Sequence, residues 1–277
     1  MKPVCLTIAG SDSGAGAGIQ ADLKTFASLD CYASSVVTAV TAQNTRGIHE
    51  LIAIQPELVA SQLNAVLSDM PIVAIKIGML MNGSIIRSVA ECLAKVKIPV
   101  VLDPVLISSS GTDLLEPDAI EALRACLFPL CSLVTPNIRE AAKLIGMENI
   151  SPNEAENANV KLLNLGAKAS LVTGGDVAGQ TKTDMLSLKR SDCRISTLVF
   201  SHETISTRNT HGTGCTLSSA IAAFLAKGLD MEHAVQAGIS YTNKLLQASR
   251  NFNTGKGCGG LDHFALINMR RNYEGDC

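Results

Sequence analysis

Val4-Cys5-Leu6-Thr7-Ile8-Ala9-Gly10-Ser11-Asp12-Ser13-Gly14-Ala15-Gly16-Ala17-Gly18 is an apolar run that ends in a glycine-rich segment, and a helical pattern follows over 19–29. A short apolar run bounded by glycines reads as a buried strand, and glycines let the backbone turn tightly into a helix. The segment fails the dinucleotide fingerprint, because its glycines are spaced 14, 16, 18 rather than with the last one three places after the second. It also lacks the Lys-Ser/Thr ending of a phosphate-binding Walker loop. Thr254-Gly255-Lys256-Gly257 has neither the upstream glycine nor the following hydroxyl. The 10–18 segment is therefore either a helix-entry turn or a ligand contact of another kind.

The same strand-then-helix unit recurs outward from this stretch. Strands are expected over 4–9, 34–42, 73–77, 99–103, 132–135 and 169–173. Helices are expected over 19–29, 56–69, 84–96, 117–127 and 154–165, and 182–189 with 193–200 reads as an antiparallel pair. Helices over 216–226 and 231–247 close the body. Near-continuous apolar strands alternating with helices predict an α/β fold, a mostly parallel sheet covered on both faces. Residues 1–277 read as one domain, with about 268–277 as a peripheral tail.

Ligands of such sheets gather beyond the C-terminal ends of the strands. The segments 10–18, 43–46, 78–81, 103–111, 135–140 and 174–175 fall there. Asp12 either contacts a polar substrate or caps its own turn. Gln43 offers both amide polarities to a heterocycle or to its own loop. Asp103 either approaches Mg²⁺ or fixes its loop, and Asn137 with Glu140 either serves Mg²⁺ or caps a helix. Lys76 is either a buried partner of a carboxylate or a strand-end surface group. Thr173-Gly174-Gly175-Asp176 either admits a nucleotide or is a plain strand exit.

The second informative stretch is Asn209-Thr210-His211-Gly212-Thr213-Gly214-Cys215-Thr216-Leu217-Ser218-Ser219-Ala220. Two glycines before an apolar helix let first-turn amides converge on an anion, or on the charge of a transferring phosphoryl group. A thiol at a helix N-terminus has its pKa depressed, so Cys215 is expected to accept a proton near neutral pH or else to be a packing residue. His211 beside it serves proton transfer or local hydrogen bonding.

Composition excludes several classes. Hydrophobic residues make up 47% and charged residues 17%, the profile of a chain with a sizeable core. A net charge of -2 gives no pull toward nucleic acid or anionic membranes, and 3% aromatic content without Trp gives few stacking platforms. Nine scattered cysteines without a Cys-x-x-Cys pair read as reduced thiols, and the five histidines lack ligand spacing, so no structural metal is expected. No apolar run suits a signal or membrane-spanning segment, which makes a cytoplasmic location the expectation.

Taken together, 9–24, Thr38-Ala39-Val40-Thr41-Ala42-Gln43-Asn44-Thr45, Ile75-Lys76-Ile77-Gly78-Met79-Leu80, Leu102-Asp103-Pro104-Val105, Thr135-Pro136-Asn137 with Glu140-Ala141, and 211–221 closely resemble the hydroxymethylpyrimidine/phosphomethylpyrimidine kinases of thiamine biosynthesis, within the ribokinase-like superfamily. That resemblance implies a three-layer α/β sandwich. It implies ATP-dependent phosphorylation of 4-amino-5-hydroxymethyl-2-methylpyrimidine, then of its monophosphate. Gly212, Thr213 and Gly214 would form the anion hole and Cys215 would stand at the catalytic-base position. Gly10, Asp12, Gln43 and Met79 would bind the pyrimidine, and Asn137, Glu140, Thr173 and Gly175 the nucleotide. Mg²⁺ would be held by Asp103 and Glu140, directly or through water, and a monovalent cation is part of the same expectation, as is a homodimer. One departure stands out: many relatives carry a lysine after Asp103-Pro104-Val105, whereas this chain reads Leu106-Ile107-Ser108-Ser109-Ser110-Gly111, and serine cannot offset phosphate charge. The alternatives are a pyridoxine, pyridoxal or pyridoxamine kinase, or a regulatory protein that binds a pyrimidine without turnover.

Overall fold

In the computed structural model, which describes residues 1–106, 115–116, 118–175 and 179–267, the apolar runs assemble into a single sheet. The loop carrying Ser109, residue Asp176 and the 268–277 tail lie outside the described residues. In chain order the elements are β1 (Val4–Asp12), α1 (Gly18–Ser28), β2 (Tyr32–Asn44), β3 (Gly47–Ala53), α2 (Pro56–Asp69), β4 (Ile72–Ile77), α3 (Gly83–Leu93), β5 (Val100–Leu102), α4 (Ala119–Ala122), β6 (Leu133–Val134), α5 (Ile138–Leu144), α6 (Ala155–Asn164), β7 (Ala169–Val172), β8 (Thr181–Lys189), β9 (Ile195–Glu203), α7 (Thr213–Ala226) and α8 (Met231–Ala248).

Among the described residues the strand order is β3-β2-β1-β4-β5-β6-β7-β8-β9. The run β2-β1-β4-β5-β6-β7 is parallel, while β3 at one edge and β8 and β9 at the other are antiparallel. Strand side chains alternate between faces, and the core divides accordingly. Leu6, Ile8, Ile75, Ile77, Leu102 and Val134 face one apolar cluster, packed with residues of α2, α3, α5 and α6. Cys5, Ala74, Val101, Leu133 and Leu171 face the other, packed with Phe26 of α1 and with α7 and α8. The sandwich is thus three layers deep, and Lys76, between Ile75 and Ile77, is forced onto the α1/α7 face.

Four local differences from the sequence expectations bear on the site. β1 runs on to Asp12 through a bulge between Ala9 and Ser11, so the first part of the glycine-rich segment is strand. β2 runs to Asn44 and returns through Thr45 and Arg46 as β3, a strand the sequence did not disclose. Its mixed Gly-Ile-His-Glu-Leu-Ile-Ala pattern suits an edge strand that is supported on one side only. The helix expected over 117–127 is α-helical only from Ala119 to Ala122, then widens to a π turn over Leu123–Leu127 and tightens to a 3₁₀ turn at Phe128–Leu130, where Pro129 withholds a donor. α7 starts at Thr213 rather than 216, which places Gly214 and Cys215 in its first turn.

Candidate active site

The ends of β1, β2, β4, β5, β6 and β7 and the start of α7 surround one cavity of about 850 Å³. Every residue expected at a site lines it: Gly10, Asp12, Gln43, Met79, Asp103, Asn137, Glu140, Thr173, Gly175, and Gly212 through Cys215. Parallel strands deliver their C-terminal ends to one rim of a sheet, so residues up to two hundred positions apart meet there.

At one end, Asp12 holds its own turn. Its Oδ1 accepts from Gly14 N–H at 2.8 Å, and its Oδ2 accepts from Gly16 at 3.1 Å and Ala17 at 2.9 Å. The same Oδ2 lies 2.8 Å from His211 Nε2, which ties the 10–18 turn to the 209–215 turn. Burial pushes the Asp12 pKa up, but the hydrogen bonds from His211, Ala17 and Gly14 outweigh it and hold the carboxyl below its ordinary value. The two turns touch backbone to backbone. Gly212 has φ +80°, and a Cβ there would stand 1.9 Å from Gly16 O. Gly16 and Gly212 are thus glycines for close approach, which explains why the 14-16-18 spacing matches no nucleotide fingerprint.

Gln43 sits in the β2–β3 hairpin. The Ser13 hydroxyl donates to Gln43 O and accepts from Gln43 N–H, both at 2.8 Å, and so fixes its backbone. Met79 packs with Ala39 and against Ile48 and Val105, walling the same end of the cavity.

At the far end, Asn137 caps α5. Its side chain accepts from Glu140 N–H at 2.9 Å and Glu140 Oε2 accepts from Asn137 N–H at 3.0 Å, a reciprocal capping box. Glu140 Oε1 also accepts from Leu106 N–H at 3.1 Å, joining α5 to the segment after β5. Thr173 is locked to that loop, its N–H donating to Pro136 O and its carbonyl accepting from Ile138 N–H. Gly174 N–H donates to Asp184 Oδ1 at 3.0 Å, and the other Asp184 oxygen lies 3.2 Å from His202 Nε2. That hydrogen bond raises the His202 pKa against the opposing effect of burial.

Between the two ends lies α7. Its N-cap, Gly212, is left-handed and supplies no side-chain cap; the Thr213 N–H donates back to Thr210 O, which leaves Gly214 and Cys215, both lining the cavity, as the first-turn residues whose amides a helix start offers to a ligand. Beneath them is a buried charge cluster. Lys76 Nζ lies 2.8 Å from Asp22 Oδ1 and 2.9 Å from Oδ2, and both side chains are 0% exposed. Asp22 also accepts from Thr7 Oγ1 at 2.6 Å and Ser219 Oγ at 2.7 Å. Lys76 is therefore the buried partner of a carboxylate rather than a surface group. Burial alone pushes the lysine pKa down, but Asp22, with Cys215 and Asp103, drives it above the ordinary range. Asp103 accepts from Ser218 Oγ at 3.2 Å, and burial raises its pKa although Lys76 opposes the shift.

Cys215 corrects the expectation of an acidic thiol. Burial pushes its pKa up to about 12, and Asp103 and Asp22 add to the rise. Lys76 and the Gly18 N–H, the first amide of α1, pull the other way without prevailing. The thiol is half-buried at the cavity wall, and desolvation of the thiolate outweighs the pull of the helix dipole.

Sequence reasoning passed over Asp22, Ser13, Asp184 and His202. A signal existed for the first. Asp22 lies on the same helix face as Ile19 and Phe26, and Lys76 sits in an Ile-Lys-Ile strand, so each is a lone charge in an apolar pattern and calls for a partner.

Two glycine turns clasped over the rim of a mostly parallel three-layer sheet, with an uncapped helix start facing the groove, define a ribokinase-like enzyme. The phosphomethylpyrimidine kinase family model matches residues 12–262, and the chain belongs to that family. The hydroxymethylpyrimidine/phosphomethylpyrimidine kinase of Rhizobium meliloti is 45% identical over 266 residues, 95% of this chain and 98% of the relative. The crystal structure of phosphomethylpyrimidine kinase from Clostridium difficile is 39% identical with a TM-score of 0.76, covering 88% of this chain and 99% of that one. The ADP complex of Bacillus subtilis pyridoxal kinase is 33% identical with a TM-score of 0.87, covering 96% and 99%. No helix among the described residues is long and apolar enough to cross a membrane.

Proposed function

We propose that the chain is a bifunctional hydroxymethylpyrimidine/phosphomethylpyrimidine kinase of thiamine biosynthesis, transferring phosphoryl groups from ATP first to the hydroxymethyl oxygen and then to the resulting monophosphate. The observation that carries this is the position of the 212–215 turn, midway along a single cavity between Gln43 and Met79 at one end and Asn137, Glu140, Thr173 and Gly175 at the other. Gln43 and Met79 hold the heterocycle, and the nucleotide lies along the far end. The amides of the α7 start receive the charge that spreads over the moving phosphoryl oxygens.

Two buried carboxylates, Asp103 and Glu140, fit a Mg²⁺ that arrives on the ATP phosphates and keeps water ligands. Among the described residues no three His, Cys, Asp or Glu side chains group closely enough to cage a metal alone. Held there, such an ion would offset the charge of the ATP phosphates. The remaining work falls to the chain. Cys215 Sγ takes the hydroxyl proton in the first transfer only in its thiolate form, after its own proton has gone to solvent, and with the thiol held near 12 that form is a small fraction near neutral pH. In the second transfer the nucleophile is an already ionised phosphate oxygen, which needs no base.

Likeness to the pyridoxal kinase fold supports a second reading, phosphorylation of a pyridoxal-type substrate. Incubation with ATP, Mg²⁺ and, separately, hydroxymethylpyrimidine, its monophosphate, pyridoxine and pyridoxal, with products weighed by mass spectrometry, separates them. Both pyrimidine products are expected. Phosphorylated pyridoxal without either pyrimidine product would replace the proposal with the second reading.

A further inference from the structure

Thr254-Gly255-Lys256-Gly257-Cys258-Gly259-Gly260 is rich in glycine yet fits no nucleotide motif, and its glycines are explained by what they meet. Gly257 N–H donates at 3.1 Å to Thr45 Oγ1 in the β2–β3 turn, two residues beyond Gln43. A Cβ on Gly257 would stand 2.0 Å from Thr45 O, so these two backbones meet with no room for a side chain. Gly259 is bonded to the other turn. Its N–H donates to Arg208 O at 3.3 Å, and its carbonyl accepts from His211 N–H at 3.0 Å. Farther along, His263 is 2% exposed and its Nε2 lies 3.0 Å from Thr216 Oγ1 in the opening turn of α7. The stretch is itself anchored, because Gly260 N–H donates to Thr254 Oγ1 at 3.2 Å and Asp262 N–H to Ser249 Oγ at 2.8 Å, just past α8. A segment bonded to the hairpin on one side and to both flanks of 211–216 on the other fixes the gap between them.

We infer that 254–263 is a brace that sets the distance between the β2–β3 hairpin and the start of α7, and that Thr45 and Gly257 are positioning residues for the first phosphoryl transfer. The inference rests on the proposed function, with the pyrimidine at the hairpin and the phosphoryl charge at 212–215. The two transfers tolerate misplacement differently. In the first, the attacking hydroxyl oxygen hangs on the ring through a single CH₂, and only rotation of that arm can move it. In the second, the attacking oxygen belongs to a phosphate at the end of a longer ester arm with two further rotatable bonds. Reacting atoms must come within roughly 3–3.5 Å in line, and an error of about 1 Å costs about 10²-fold. Opening the hairpin therefore takes the hydroxyl out of reach, whereas the longer arm turns to compensate. The nucleotide end is held through the α5 capping box and Asp184, so its geometry should survive the same change.

The test is to measure single-turnover rates of the full chain with saturating ATP and Mg²⁺, on 4-amino-5-hydroxymethyl-2-methylpyrimidine and separately on its monophosphate. Gly257→Ala should slow the first transfer by about 10²-fold and the second by less than about tenfold. Thr45→Val, nearly the same shape but without an acceptor for the Gly257 N–H, should shift the ratio of the two rates in the same direction by at least about fivefold, and Thr45→Ser should restore it. In steady-state assays the KM for ATP should stay within about twofold of wild type in all three. Equal slowing of the two transfers, an unchanged ratio in Thr45→Val, or a slowing that comes with a raised KM for ATP overturns the inference, and the kinase assignment stands as long as wild type forms both pyrimidine products. Wild type forming neither product overturns both. Should Gly257→Ala fail to fold, the two Thr45 variants decide alone.

Discussion

Replacing Lys76 with Met removes the cation from a carboxylate that is itself 0% exposed. Loss of one member of a buried pair costs about 3–5 kcal/mol, because the survivor stays charged without compensation. The lower part of that range applies here, since Thr7 and Ser219 hydroxyls still donate to Asp22. At about 2–4 °C per kcal/mol for a chain somewhat smaller than this one, K76M should melt roughly 6–12 °C below wild type. The double variant Asp22→Leu/Lys76→Met removes both charges of the pair, and it should recover more than half of the loss by equilibrium urea unfolding. A lysine whose pKa is raised in the folded state contributes fully below its unfolded value and loses that contribution only as pH climbs through the raised one, so the wild-type pair's contribution should be undiminished between pH 6 and pH 9. A K76M cost under about 1 kcal/mol, or a double variant as unstable as the sum of the singles, would refute the claim that this pair is a desolvated, mutually dependent unit.

Cys215→Ala should lower the first phosphoryl transfer by about 10²-fold or more and the second by much less, since only the first has a proton to remove; equal losses in single-turnover assays of the two steps would count against the base. Iodoacetamide labelling of Cys215 in the free protein, followed by peptide mass, should accelerate about tenfold per pH unit from pH 7 to 10 without a plateau, as burial holds the thiol near 12. Gly212→Ala places a Cβ 1.9 Å from Gly16 O at φ +80°, so the turn must open; kcat should fall by about 10²-fold or more, and a near-native rate would show that these amides do not meet the developing charge. His263 is buried with Nε2 3.0 Å from Thr216 Oγ1, and burial lowers its pKa to about 4. The unfolded chain takes up a proton below its ordinary 6.5 that the folded chain refuses until about 4, so stability should fall across that interval; His263→Gln should flatten this part of a melting-temperature profile.

The layer order of the fold was legible because each strand carried a continuous apolar run and each helix its own periodicity, signals that are local. Residues 56–69 and 231–247 were readable to within a residue for that reason. β3 was not, because an edge strand exposed on one side needs no apolar run, and its partner alone defines it. The π turn after Ala122 carries no signal in the local residue pattern. Within the site, sequence alone determined which residue types reach the sheet's C-terminal rim, since strand ends and glycine turns are written locally. Only the tertiary structure decided their roles. Asp12 became a clamp between two turns, Lys76 a buried counter-ion and Cys215 a basic rather than an acidic thiol, because desolvation and the choice of hydrogen-bond partner depend on what the rest of the chain brings within a few ångströms.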